Sequence, residues 1–280
     1  MTDASRTTTS TADTSSAGTA GTAGDWIRCF HPSPEALVRL VCFPHAGGAA
    51  SFYFPLSANL HPHVEVLAVQ YPGRQDRRLE APVTDIRELA GQVRRALAAC
   101  ADDRPYAFFG HSMGAVVAYE TALAADAENA GPVRLFASGR RGPATERHEA
   151  AHRLLDDGFI REIRSLDGTD ATLFSDEELV RMILPALRAD YRAIELYRGV
   201  RDARVTCPIT VLIGDNDPKA TVDEAAAWSS HTTADFDMQV YPGGHFYLVP
   251  NRTTVLERIR TTLIHDLRRP DADPPTAAPL

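Results

Sequence analysis

At 280 residues the chain has room for one large α/β domain or two small ones, and a hydrophobic content of 44% supplies a substantial core. A formal net charge of -8 without any long basic run argues against a general nucleic-acid binder. No apolar stretch approaches the ~20 residues a membrane span needs.

Residues 1–25 are mostly Thr, Ser, Ala, Gly and Asp. They lack the charged start and apolar centre of a signal peptide and are expected to be a disordered extension. Leu37–Phe43 reads as a buried strand running into the glycine-rich loop Pro44–Ser51. A loop of that kind, past a strand's carboxyl end, is where an open α/β sheet binds ligands. It has no G-x-G-x-x-G and no Walker lysine, so it does not read as a phosphate cradle. Val64–Gln70 is the next strand, followed by the loop Tyr71–Arg78. Thr84–Ala101 reads as an amphipathic helix with Ile86, Leu89, Ala90, Val93 and Leu97 on one face, capped by Thr84 or Asp85. Tyr106–Phe109 is a strand, Ala115–Ala124 a buried helix and Val133–Ser138 another strand. Strands alternating with helices imply a mostly parallel sheet covered on both faces.

The alternation stops from about residue 142 to 200. Helices are expected near 148–157, 159–165 and 176–197, the last opened by a Ser175-x-x-Glu178 capping box and kinked at Pro185. This segment is read as a helical lid. Strand character returns at Ile209–Ile213, then a helix near 222–231, the strand Phe236–Tyr241, the loop Pro242–Leu248 and a helix over 254–267. A Pro-rich tail, 270–280, ends the chain, leaving 26–269 as the folded domain. Cys29, Cys42, Cys100 and Cys207 show neither zinc spacing nor a C-x-x-C pair. Cys42 lies in an apolar run where a reduced thiol is expected, which fits the cytoplasm.

Between the strand at 106–109 and the helix at 115–124 stands Gly110-His111-Ser112-Met113-Gly114. G-x-S-x-G between strand and helix is the pattern of a nucleophile elbow. A serine hydroxyl needs a base to take its proton. Five of the ten histidines follow Ser112: His148, His152, His231, His245 and His265. Only His245 lies in a glycine-rich loop at a strand's carboxyl end, where it can be aimed at the serine. The acid that holds the imidazole is sought at the end of the 209–213 strand, which offers Asp215 and Asp217. Asp217, one turn beyond the strand and followed by Pro218, is favoured, with Asp215 as a loop brace.

Taken together, FPHAGGAAS at 43–51, YPGRQDR at 71–77, GHSMGA at 110–115, GDNDP at 214–218 and PGGHFYL at 242–248 resemble the type II thioesterases of polyketide and non-ribosomal peptide synthesis, members of the α/β-hydrolase superfamily. The resemblance covers roughly Val38 to Leu267. It implies Ser112, Asp217 and His245 as triad, the backbone N–H groups of Ala46 and Met113 as oxyanion hole, and no metal or organic cofactor. It also implies, as substrate, acyl groups on the phosphopantetheine arm of acyl carrier protein domains. A general esterase or lipase, a medium-chain fatty acyl thioesterase and a non-enzymatic binding protein of the same fold are the competing readings. Carrier proteins are usually acidic, so a basic docking surface is expected. Arg74, Arg77 and Arg78 in one loop and Arg140 and Arg141 in another, both past strand carboxyl ends, are its candidates.

Overall fold

The computed structural model describes residues 23–166 and 177–268. The sequence-predicted strands all form. They are β2 (Val38–Phe43), β3 (Val64–Val69), β4 (Tyr106–His111), β5 (Leu135–Ser138), β6 (Ile209–Gly214) and β7 (Phe236–Tyr241). A two-residue strand, β1 (Ile27–Arg28), precedes them. The seven lie in one sheet in the order β1-β3-β2-β4-β5-β6-β7. Only β1 runs antiparallel to its neighbour. Strands β3 and β6 are buried along their whole length and mostly apolar because both faces of the sheet are covered.

Side chains alternate across the sheet, and two cores follow. On one side Val41, Phe43, Leu67, Val69 and Phe108 pack against α3 (Ile86–Ala99) and α4 (Met113–Asp126). On the other, Leu40, Cys42, Val66, Phe109 and Phe136 pack against α8 (Arg252–Leu267) through Val255, Ile259 and Leu263. Each large apolar side chain buried this way is worth about 1.5–3 kcal/mol. Asp85 caps α3, accepting the Glu88 N–H at 2.9 Å. The four cysteines are free thiols, and burial holds Cys42 well above the usual thiol range.

The remaining helices are α1 (Ala23–Trp26), α2 (Phe54–Leu60), α5 (Asp156–Arg164), α6 (Glu177–Leu196) and α7 (Val222–Ala226). No strand interrupts the described residues between β5 and β6. The helix expected over 148–157 is not formed. A 3-10 turn at Ala151–Arg153 stands there, because the buried Glu195 carboxylate accepts the N–H groups of Ala151 and His152 at 2.9 and 3.0 Å. The helix α6 continues through Pro185, while the Ser175 half of the expected capping box lies outside the described residues. Phe159, Ile163, Leu187 and Tyr191 form a third cluster of their own within this insertion. Among the described residues no helix is long and apolar enough to cross a membrane.

Candidate active site

The carboxyl ends of β2, β4, β5 and β6 converge on Ser112. Its backbone has φ 56 and ψ -117, a conformation that costs a non-glycine residue energy and is held only by what surrounds it. Here the flanking glycines hold it. A Cβ on Gly110 would overlap the Gly114 carbonyl, and one on Gly114 would overlap the Phe43 carbonyl. Strand β4, helix α4 and the end of β2 therefore meet backbone to backbone. The Ser112 N–H donates to the Ser138 carbonyl at 2.8 Å, tying the turn to β5.

His245 sits in the loop after β7, 3% exposed. Its Nε2 lies 2.9 Å from Ser112 Oγ. Its Nδ1 lies 2.9 Å from both carboxylate oxygens of Asp217. Asp217 Oδ1 also accepts the Lys219 N–H at 2.8 Å, which fixes the carboxylate. Asp215 is engaged elsewhere: its Oδ1 accepts the Gly243 N–H at 2.9 Å and an Asn216 amide hydrogen at 2.7 Å, bracing the histidine loop. Of the other candidate histidines, His152 is paired with Glu195 and His231 contacts Tyr119, while His148 and His265 are exposed.

Met113 opens α4, where the first backbone N–H groups have no partner within the helix and favour negative charge. Ala46 lies in the loop after β2 that passes against Gly114. That loop is held by a group the sequence reading did not single out. Asp190, on α6 and 2% exposed, accepts the Gly47 N–H at 2.7 Å and pairs with Arg74. One carboxylate thus ties the insertion, the glycine-rich loop and the loop after β3 together. Its signal in the sequence is a carboxylate on an apolar stripe, Ala186, Leu187, Asp190, Ala193 and Ile194. Asp190→Asn keeps an acceptor for Gly47 and loses the charge pair. It is expected to lower kcat about tenfold, through a loosened loop, with KM for a small pantetheine thioester little changed. Steady-state kinetics on that substrate checks this.

Two further histidines lie under the site. His111 Nδ1 is 2.9 Å from Ser138 Oγ, which is 2.7 Å from the Tyr247 hydroxyl. His45 lies edge-on to Phe52 and Phe246. Burial pushes the His45 pKa down to about 3, with His245 and Arg74 adding to the fall. Burial also holds His111 well below the usual range, helped by His245 and His45. Both are neutral in the folded chain at pH 7. The unfolded chain binds their protons below about pH 6.5, so acidification favours unfolding. Stability is expected to fall between pH 6.5 and 5 with a slope approaching about 1.4 kcal/mol per pH unit for each of the two. Urea melts across that range check the slope, and His45→Gln is expected to flatten it.

The arginines expected to form a docking surface need correction. Arg74, Arg77, Arg140 and Arg141 are 8%, 5%, 6% and 4% exposed, so they cannot meet a protein partner. Arg74 is held by Asp190, and Arg77 by Glu80 and the Trp26 ring. Arg141 is held by Glu149. Only Arg78 of the five is exposed. Among the described residues no cluster of His, Cys, Asp or Glu could hold a metal ion.

A mostly parallel sheet, a strained serine between β4 and α4, and a histidine and an aspartate carried on later loops define an α/β-hydrolase. The family model described as the thioesterase domain matches residues 38–263, and the chain belongs to that family. It is 50% identical over 247 residues to a probable cadicidin biosynthesis thioesterase of Streptomyces griseus, covering 88% of this chain and 68% of the relative. It is 47% identical over 258 residues to thioesterase PikA5 of Streptomyces venezuelae, covering 91% and 92%. Among solved structures, the type II thioesterase BorB from the borrelidin biosynthetic cluster superposes with a TM-score of 0.80 at 48% identity, covering 85% of this chain and 97% of that one.

Proposed function

We propose that this chain is an editing thioesterase that frees aberrant or stalled acyl units from the phosphopantetheine arms of acyl carrier protein domains during polyketide or non-ribosomal peptide synthesis, in the cytoplasm. The observation that carries the reading is the unbroken line Ser112 Oγ, His245 Nε2, His245 Nδ1, Asp217 carboxylate in a thioesterase-family fold. Relatives named for cadicidin biosynthesis and the borrelidin cluster support the setting.

In this reading His245 takes the hydroxyl proton as Ser112 Oγ attacks the thioester carbonyl. Asp217 holds the imidazole in the tautomer whose Nε2 accepts, and stabilises the imidazolium that forms. The N–H groups of Ala46 and Met113 receive the oxyanion, a contribution commonly worth about 3–4 kcal/mol per donor. Collapse of the tetrahedral intermediate breaks the carbon–sulfur bond. The sulfur leaves readily because a thiol pKa is near ~8.5, and the His245 imidazolium gives up its proton to it, so a thiol departs and His245 is neutral again. Water then attacks the acyl-serine, His245 takes its proton and returns it to Ser112 Oγ, and a free acid departs. The insertion over 142–200 acts as the lid: Leu187 of α6 lies against Gly47, and Ala46 packs on the insertion's own apolar cluster. Arg78 is left as the docking candidate of the original five.

Intact-protein mass spectrometry on a panel of acyl-loaded carrier proteins tests the reading. Loss of the acyl mass, with the phosphopantetheine arm retained, is the expected result. Turnover confined to oxyesters, with every acyl-carrier thioester left intact, would replace it with a general esterase.

A further inference from the structure

A cleft between the two ends of the helical insertion holds an arginine that has no carboxylate or carbonyl partner among the described residues. Five arginines are buried among the described residues, and four of them reach a carboxylate. Arg74 pairs with Asp190, Arg77 with Glu80, Arg134 with Asp266 and Arg141 with Glu149. Arg140 is the exception. It is 6% exposed, and its guanidinium finds no acceptor among the described residues. Its backbone is fixed two residues past β5, with its carbonyl accepting Trp228 Nε1–H at 2.9 Å. Burial, and then Arg141, pushes its pKa down to about 9 against the pull of Glu149. A guanidinium this far buried, with no acceptor among the described residues, keeps its N–H groups available at the cleft for an acceptor that enters it.

Arg140 lines a narrow cleft that opens to solvent at its mouth. Arg141, Arg147 and Arg198 line it too, with Glu146 as the only acid on the lining. Glu149, which acts on Arg140 electrostatically, is taken up by Arg141, and Glu224 is taken up by Arg147. Val116, one turn into α4 from Ser112, closes the inner wall. The walls are close-built, since a Cβ on Gly199 would overlap the Pro143 carbonyl.

We propose that this cleft binds an oxyanion of the phosphate class, with the Arg140 guanidinium as its principal ligand. The planar fork of arginine matches two phosphate oxygens at once. Arg198 adds positive charge at the rim, while Arg141 and Arg147 stay paired with Glu149 and Glu224. An anion there touches both ends of the insertion, at 140–147 and at 197–199, and ties them together. Free inorganic phosphate and the phosphate of a pantetheine arm share this chemistry. The site stands on Arg140 and the cleft alone, and its test involves no hydrolysis, so it fails or holds separately from the thioesterase reading.

The test is isothermal titration of the full chain with inorganic phosphate, against sodium chloride at matched ionic strength, and with 4′-phosphopantetheine against pantetheine. Saturable binding of a phosphate-bearing ligand, absent with chloride and pantetheine, is the expected result. Arg140→Gln is expected to weaken it by about tenfold or more. Arg198→Gln, on the exposed rim, weakens it less, and Arg78→Gln leaves it unchanged. Tighter binding of phosphopantetheine than of phosphate assigns the site to the substrate arm; equal binding assigns it to the free anion. The proposal is overturned if the wild-type chain binds neither phosphate ligand, or if Arg140→Gln binds as well as wild type. Should Arg140→Gln not fold, the wild-type titration and Arg140→Lys, which keeps the charge and loses the fork, decide it.

Discussion

Ser112→Ala is expected to lower kcat on an acyl-pantetheine thioester by about a million-fold while the chain still folds. Alanine keeps the Cβ of serine and loses only Oγ. The backbone at φ 56 is imposed by Gly110, Gly114 and the Ser138 carbonyl, none of which the change touches. What disappears is the atom 2.9 Å from His245 Nε2. Circular dichroism and thermal melts matching the wild type, together with lost turnover, would separate chemistry from stability. A fluorophosphonate is expected to add one adduct to the wild-type mass, at Ser112, and none to the variant. An active Ser112→Ala, or labelling at another serine, would end the covalent mechanism.

The second large effect is expected at the acid. Asp217→Asn should lower kcat by about ten-thousand-fold, since an amide facing Nδ1 favours the wrong imidazole tautomer and cannot stabilise the imidazolium. The Asp217 side chain is fully buried against His245, so solvent does not restore the lost charge. Asp215→Asn keeps an oxygen for the Gly243 N–H and should cost less than tenfold. Parallel kinetics on the two variants checks the ranking. The reverse order would move the acid to Asp215.

Much of this site was legible because its pieces sit on local signals. The strands are apolar runs ended by glycine or proline, and Ser112 and His245 stand in glycine-rich turns at strand ends. Asp217 was separable from Asp215 only by its place one turn beyond the strand; in the fold Asp217 lies against His245 Nδ1 and Asp215 accepts the Gly243 N–H. What stayed hidden depends on distant partners. Arg74 looks like a solvated loop arginine until Asp190, 116 positions away, is brought beside it. The 148–157 stretch looks helical until Glu195 takes its N–H groups. The strand β1 is too short for a pattern and exists because it pairs with β3. The helix α2 begins with the exposed Phe54 followed by Pro55, and spans only two turns.

The helical insertion leaves the sheet after β5 and comes back beside its own starting point, with Gly199 packed on Pro143. A segment whose ends meet can be exchanged between relatives as a cassette without stretching the body that carries it. Chimaeras of this kind would separate what the α/β body contributes to turnover from what the helices contribute to substrate choice. The junctions alone do not make such a graft complete. The donor segment must present a carboxylate where Asp190 stands, or the chimaera keeps its serine and histidine and loses the tether on the Gly47 N–H.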